Sequence, residues 1–257
     1  ANELEITKVR GEPELYRADC FVIASGSIPR TPDNIPVDHE NIFDSDSILT
    51  MLYLPRSLTV LGGGVIASEY ASIFQALGVK VTMIDRYPLP LGFMDADLTK
   101  KFVDSFQEMG GKWLGEKNVE RVEWDGLSQV ITTCDDGTVV KSAKLLCAAG
   151  RTANVKDLHI ENAGLSVNEH GNIPVDDMLQ THVSHIYAAG DVIGPPSLAS
   201  ASMEQGRRAS CNALGIGVGP MSKTIPSGIY GIPELSAVGM TEQQASKEYG
   251  EVMVGRA

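Results

Sequence analysis

Cysteine is scarce and scattered in this 257-residue chain: Cys20, Cys134, Cys147 and Cys211 are the four, and no two stand at a CxxC or CxxxxC spacing. A zinc knuckle and a local redox disulfide are therefore excluded within these residues. Positive charge is short as well, with 21 Lys and Arg against 33 Asp and Glu and a net charge of −12. A chain this acidic repels phosphate backbones and anionic lipid heads, so neither nucleic acid nor a membrane surface is an expected partner. No stretch approaches the roughly 20 apolar residues that cross a bilayer. No charged-then-apolar signal segment opens the chain. Together with the low cysteine content this predicts a cytoplasmic setting. The residues around Cys20 and Cys147 are apolar and strand-like, which predicts buried, inert thiols. Apolar types at 43% and charged types at 21% argue against disorder and collagen-like repeats. The length accommodates one large domain or two smaller ones.

What is present is an alternation of strand and helix signals. Ser57–Leu61 is a short β-type run that ends in Gly62-Gly63-Gly64. Ile66, Tyr70, Ile73, Phe74 and Leu77 then recur at helical spacing, and Gly78 is placed to stop that helix. A further apolar run at 79–85 completes strand, glycine turn, helix, strand, a βαβ unit. Spacing predicts a second helix over 97–109, with Leu98, Phe102, Phe106 and Met109 on one face and Gly110-Gly111 at its end. Three short β-type runs near 119–124, 129–134 and 138–141, with turns at Gly126 and Asp136-Gly137, predict an antiparallel meander. Buried-type strands are expected at 20–24, 145–150 and 186–189, and a helix rich in small residues over 197–214. Residues 44–54 carry a weak helical spacing. From Pro226 onward the pattern changes, with short β-type runs and a helix start at Thr241-Glu242. Three apolar strands end in small-small-Gly, at Gly26, Gly150 and Gly190, which suggests three strand ends where the backbone must approach something closely.

Two constellations carry chemistry. The first is Gly62-Gly63-Gly64-Val65-Ile66-Ala67, a GxGxxA. Gly62 permits the tight turn, Gly64 lets a pyrophosphate approach the backbone, and Ala67 lets the helix pack on the strand. The helix N-terminus offers free N–H groups to the phosphates. Asp85, 23 residues after Gly62, stands where an acid holds a ribose 2′-hydroxyl. This context predicts a dinucleotide site rather than a glycine turn used only for packing. Asp85 favours NAD(H), whereas Arg86 is either a solvated surface charge or a partner for the extra phosphate of NADP(H), so coenzyme specificity stays open. Glu69 is either an exposed helical glutamate or a carboxylate facing the nicotinamide end. The second constellation is Gly190-Asp191 at the end of an apolar strand, a turn aspartate or an acid placed to bond a ligand hydroxyl. His182 and His185 have no accompanying ligand cluster, so no metal is expected. No nucleophile–base pair can be assigned, and no catalytic residue is named.

At this point the residues resemble a family. The elements Phe21-Val22-Ile23-Ala24-Ser25-Gly26-Ser27, Gly62 to Glu69, Gly150-Arg151-Thr152-Ala153-Asn154 and Thr181 through Asp191 are similar to those of the pyridine nucleotide-disulfide oxidoreductases, flavoproteins with two dinucleotide-binding domains. The resemblance covers nearly the whole chain. It is strongest to the branch that moves hydride between NADPH and NAD through the flavin, on Glu69-Tyr70-Ala71-Ser72-Ile73-Phe74, the run from Gly190 to Ala201, Gln205-Gly206-Arg207 and the run from Ile225 to Tyr230.

The resemblance implies a fold and a set of roles. The fold is α/β. A Rossmann-like NAD(P) domain at 55–170, with a parallel sheet, helices on one face and a three-stranded meander on the other, interrupts a discontinuous FAD domain at 1–54 and 171–223, and an interface segment starts at 224–257. Gly62, Gly63, Gly64, Val65, Ile66, Ala67 and Glu69 would hold NAD(P)(H), with Asp85 and Arg86 at the adenosine ribose, Val119 near the adenine and Gly150 at the nicotinamide end. Asp191 would hold the flavin ribityl chain, Ser25 and Gly26 would flank FAD, and Ser197, Leu198 and Ala199 at a helix start would face the isoalloxazine. Ala67 in place of a third glycine and a single Arg86, with Gly92 where NADPH-using relatives carry a second arginine, imply a mixed coenzyme site. The family's first GxGxxG, its CxxxxC and its C-terminal His-Glu base are not in these residues. The chain thus reads as an internal fragment of a homodimeric enzyme, inactive alone and without FAD of its own. The alternatives are a dihydrolipoamide dehydrogenase-type disulfide reductase and a non-catalytic NAD(P)-binding module.

Overall fold

A computed structural model describes residues 2–222 and 224–256. In chain order its elements are β1 Glu3–Ile6, β2 Glu14–Arg17, β3 Phe21–Ile23, β4 Ser27–Pro29, β5 Ile42–Asp44, β6 Ser57–Leu61, α1 Val65–Ala76, β7 Lys80–Ile84, α2 Ala96–Glu108 and β8 Lys112–Leu114. Then follow β9 Val119–Trp124, β10 Val130–Cys134, β11 Val139–Ser142, β12 Lys144–Cys147, β13 Arg151–Ala153, β14 Ile186–Ala188, α3 Ala199–Ala213, β15 Ser227–Ile229, β16 Leu235–Ala237 and α4 Glu242–Tyr249. Two compact units result: residues 1–28 with 151–223, and residues 29–150 with 224–257. The mixed α/β class and the parallel sheet are as expected.

The second unit is built on a five-stranded parallel sheet in the order β5-β12-β6-β7-β8. Side chains alternate along each strand, as the pleat requires. Phe43, Leu58, Val60, Val81, Met83 and Leu146 meet Ala67, Ala71 and Phe74 of α1 and Phe106 of α2. Ile42, Leu61, Ile84, Leu145 and Cys147 meet Val122, Val130 and Cys134 of the β9-β10-β11 meander. Both faces are covered, which is why these strands read as continuous apolar runs. Thr59 is the polar exception; its Oγ1 donates to Ser142 Oγ at 2.8 Å, so the buried hydroxyl is satisfied.

Several boundaries differ from the sequence reading. Residues 29–54 group with the second unit, because β5 pairs in parallel with β12. Residues 151–170 group with the first, where Ala153, Ile160 and Leu165 share a core with Ile186 and Val192. The segment 224–257 packs with the second unit: Ile229 is buried with Leu91 and Met94, and the Glu242 N–H donates to Asp95 Oδ1 at 2.7 Å. Helix α1 turns a different face inward from the one that spacing suggested. Ala67, Ser68, Ala71, Ser72 and Phe74 are buried, while Ile73 and Leu77 are exposed. Small side chains let the helix lie close to the sheet. Only Ser47–Thr50, a single 3-10 turn, forms within 44–54.

The first unit is slighter. Strands β3 and β14 pair in parallel, β1 and β2 form an antiparallel hairpin, and α3 packs through Ala209 beside Tyr187 and Ala189. Cys20, expected to be buried, is exposed. It stands just before β3, which among the described residues pairs with β14. Cys134 and Cys147 are buried, and burial pushes both thiols above their usual range. No helix among the described residues is long and apolar enough to cross a membrane.

Candidate functional site

The candidate residues sort by unit. Gly62 to Ala67, Glu69, Asp85, Arg86, Val119 and Gly150 lie in the second unit, and Ser25, Gly26, Asp191, Ser197, Leu198 and Ala199 lie in the first.

In the second unit, β6 ends at Leu61 and the chain turns through the three glycines into α1. Gly62 has φ +115°, and a Cβ there would stand 2.5 Å from the Ala148 carbonyl oxygen. Both the backbone conformation and the neighbouring strand therefore require glycine. A Cβ on Gly63 would press at 3.2 Å on the Asp85 carboxyl carbon, Pro90 and Trp113. Gly64 is different. It is the N-cap of α1 with an extended backbone, and a Cβ there would meet no protein atom within 4 Å. Nothing among the described residues demands glycine at Gly64. Its bare outer face leaves a cradle that a side chain would fill, at a helix start whose N-cap offers no side-chain bond. The leading N–H groups of α1, from Val65 onward, are free to bind an anion. The residue types and the geometry fit a nucleotide pyrophosphate.

Asp85 lies just past β7. Its Oδ1 accepts the Tyr87 N–H at 2.8 Å, and its carboxyl carbon neighbours Gly63, so the acid borders the glycine turn. The Arg86 guanidinium lies over the Tyr87 ring, 4.9 Å from its centre. Glu69, in the second turn of α1, accepts the Tyr230 N–H on Oε1 at 2.8 Å, and Ser72 Oγ one turn on accepts the Ile232 N–H at 3.0 Å. Glu69 is thus no free surface carboxylate; it ties the segment carrying β15 to the nucleotide helix. Gly150 has φ +108°. The carbonyl before it, Ala149 O, accepts Arg30 Nε at 3.0 Å and Nη2 at 2.7 Å. Val119 opens β9, its carbonyl held by Asn34 Nδ2 at 3.0 Å.

In the first unit, Asp191 begins a 3-10 turn after Gly190. Ser27 Oγ donates to Asp191 Oδ2 at 2.8 Å and accepts Arg151 Nε at 2.8 Å. The Gly190 N–H is held by Gln205 Oε1 at 2.8 Å. Ser25 Oγ is buried and has no hydrogen-bond partner among the described residues. An orphaned hydroxyl beside Gly26, whose Cβ position is open, fits a polar ligand. Helix α3 starts at Ala199, with Leu198 as its N-cap and Ser197 at φ +49° before it. The sequence reading missed Arg30, Ser27, Tyr87 and Tyr230. None sits in a periodic pattern, and Arg30, Ser27 and Tyr230 each make a bond that spans more than 100 residues. Among the described residues no group of three or more His, Cys, Asp or Glu could hold a metal ion.

Comparison with known proteins gives the family. Soluble pyridine nucleotide transhydrogenases are similar over the whole chain: that of Aliivibrio fischeri is 40% identical over 257 residues, and that of Vibrio vulnificus 42% over 260. The chain spans about half of their length, 54% and 55% respectively. Solved structures are similar at 30% identity and TM-score 0.89. They include LpdA from Mycobacterium tuberculosis, with 95% of this chain and 53% of that one covered, and the HOCl-induced flavoprotein disulfide reductase RclA from Escherichia coli, with 96% and 56% covered. Members of this enzyme family use FAD and NAD(P)H. Residues 1–206 match the family described as pyridine nucleotide-disulphide oxidoreductase, and the chain belongs to that family.

Proposed function

We propose that this chain is the nucleotide-handling part of a FAD-dependent oxidoreductase that transfers hydride between NADPH and NAD through the flavin. The observation that carries the reading is the glycine cradle. The protein itself dictates Gly62 and crowds Gly63, while Gly64 is left bare at the start of α1. The N–H groups of Val65, Ile66 and Ala67 then bind the pyrophosphate, Asp85 the adenosine ribose, and Glu69 and Gly150 the nicotinamide end, with Val119 beside the adenine. In the other unit Asp191, oriented by Ser27, holds a ribityl hydroxyl. Ser25 and Gly26 flank the same cofactor, and Ser197, Leu198 and Ala199 lie toward its ring. FAD, when bound, supplies a two-electron carrier, and the protein supplies position and dipoles. Such a transfer needs no protein acid or base.

The similarity to RclA favours a second reading, disulfide reduction. Within this chain the buried Cys134 and Cys147 carry thiols shifted away from the thiolate, which makes both poor redox partners. The readings separate in the longer protein. Hydride passing from NADPH to an NAD analogue with no disulfide present supports the first; turnover that requires a disulfide acceptor supports the second. In the 257-residue chain, titration with NADH tests the cradle, and binding undiminished in Gly64→Val overturns it. We further propose that the longer protein acts in the cytoplasm as a homodimer, to be checked by its mass in solution.

A further inference from the structure

We propose that Tyr87 determines coenzyme choice by holding Arg86 ready for the 2′-phosphate of NADP(H), while Asp85 serves the free 2′-hydroxyl of NAD(H). The inference rests on the nucleotide-site reading above and extends it to a residue outside the glycine motif.

Tyr87 is pinned through its backbone on both sides. Its N–H donates to Asp85 Oδ1 at 2.8 Å, and its carbonyl accepts the Glu116 N–H at 3.2 Å. The loop around it is fixed as well. The Lys117 N–H donates to the Asp85 carbonyl at 3.0 Å, and Trp113 Nε1 donates to the Pro88 carbonyl at 2.9 Å. The exposed Tyr87 ring is therefore a platform whose root is held by backbone hydrogen bonds. The Arg86 guanidinium carbon lies over it, 4.9 Å from the ring centre, within cation–π reach, and a guanidinium held so has donors to offer a phosphate. An arginine already ordered in this way loses less side-chain freedom on binding than a free one.

Asp85 divides its oxygens in a complementary manner. Oδ1 is committed to Tyr87, and the second oxygen remains for a ribose hydroxyl. A 2′-phosphate would meet that carboxylate with like charge, so a stationed cation is needed for NADP(H) to bind. Lys117, whose backbone N–H holds the Asp85 carbonyl, has its own charge paired with Asp136. Arg86 is thus the counter-charge at this end, and the Tyr87 ring is what stations it.

The test uses the 257-residue chain with NADH and NADPH, which differ only in the 2′-phosphate, and follows nicotinamide fluorescence on titration. Tyr87→Ala is expected to raise the ratio of the NADPH to the NADH dissociation constant about three- to five-fold, the size of an exposed cation–π contact. Tyr87→Phe, which keeps the ring, is expected to restore the ratio. Arg86→Ala should raise it at least as far, and adding Tyr87→Ala to Arg86→Ala should change it no further, because the ring acts through the guanidinium. An unchanged or lowered ratio in Tyr87→Ala, or additive effects in the double variant, overturns the proposal while leaving the nucleotide site standing. Failure of the unsubstituted chain to bind either coenzyme overturns both.

Discussion

The two units are assembled from the same kinds of element, yet they differ in how far each closes its own sheet. In the second, β6 and β12 lie inside a five-stranded parallel sheet and are buried along almost their whole length. In the first, β3 pairs with β14 alone among the described residues, and Val22 at its centre is 40% exposed. Parallel strands are stable when both faces are covered, and two paired strands contribute little alone. The contrast sets the glycine turn of the second unit on a floor of paired strands. Gly62 is held against Ala148 by the neighbouring strand, whereas the equivalent turn at Gly190 leans on the side chains of α3, through Gln205 and Ser202.

The largest effect expected is from Gly62→Val. A branched side chain at φ +115°, against a carbonyl oxygen 2.5 Å from its Cβ, should destabilise the second unit by about 3 kcal/mol or more. Urea unfolding followed by Trp113 and Trp124 fluorescence, both in that unit, reads this directly; an unmoved midpoint would mean that the turn is not held by its floor. Gly64→Val is the counterpart. With nothing within 4 Å of its Cβ, stability should change by less than about 1 kcal/mol, while NADH affinity falls about 100-fold as the side chain fills the cradle. The pair separates a glycine the fold needs from one the ligand needs.

Hydrogen exchange compares the units without a mutation. Amides of β6, β7 and β12 should be the slowest in the chain, and those of β3 and β14 should exchange faster by about two orders of magnitude, because local opening is easier where fewer neighbours cover the backbone. Equal protection in both would erase the comparison. A smaller effect is expected from Thr59→Val, which removes the buried donor to Ser142 at 2.8 Å. The loss is about 1–2 kcal/mol, confined to the second unit, and is read from the same urea midpoint.

How much of this was legible in the sequence follows the same division. The βαβ unit was read almost residue for residue, because buried strands, glycine turns and the meander's turn residues are local signals. The inward face of α1 was not, because the sheet selects small residues at Ala67 and Ala71 and sends Ile73 outward; spacing of large apolar side chains points the other way. The unit boundaries escaped because β5 is only three residues long and its membership is decided by pairing with β12, about 100 residues on. At the site, the glycines and Asp85 declared themselves by motif. Arg30, Ser27 and Tyr230 act through bonds between distant parts of the chain, which no periodicity encodes.

The smallest effect concerns acid. In each unit a carboxylate within reach of solvent is held well below its ordinary range. In the second unit it is Asp136, lowered by its bond with Lys117. In the first it is Glu204, lowered to about 2 by its bonds with Arg207 and Arg208. Because the folded-state value lies below the unfolded one, the stabilisation from Glu204 is fully present above about pH 4.5 and is lost as pH falls toward 2. Solvent screens both groups, so the change is slight. Thermal melts of the chain and of Glu204→Gln should run parallel from pH 7 to 5 and converge as the pH falls further, since the variant lacks the group that titrates. A gap that stayed constant down to pH 2 would mean that Glu204 acts on α3 through packing rather than through its charge.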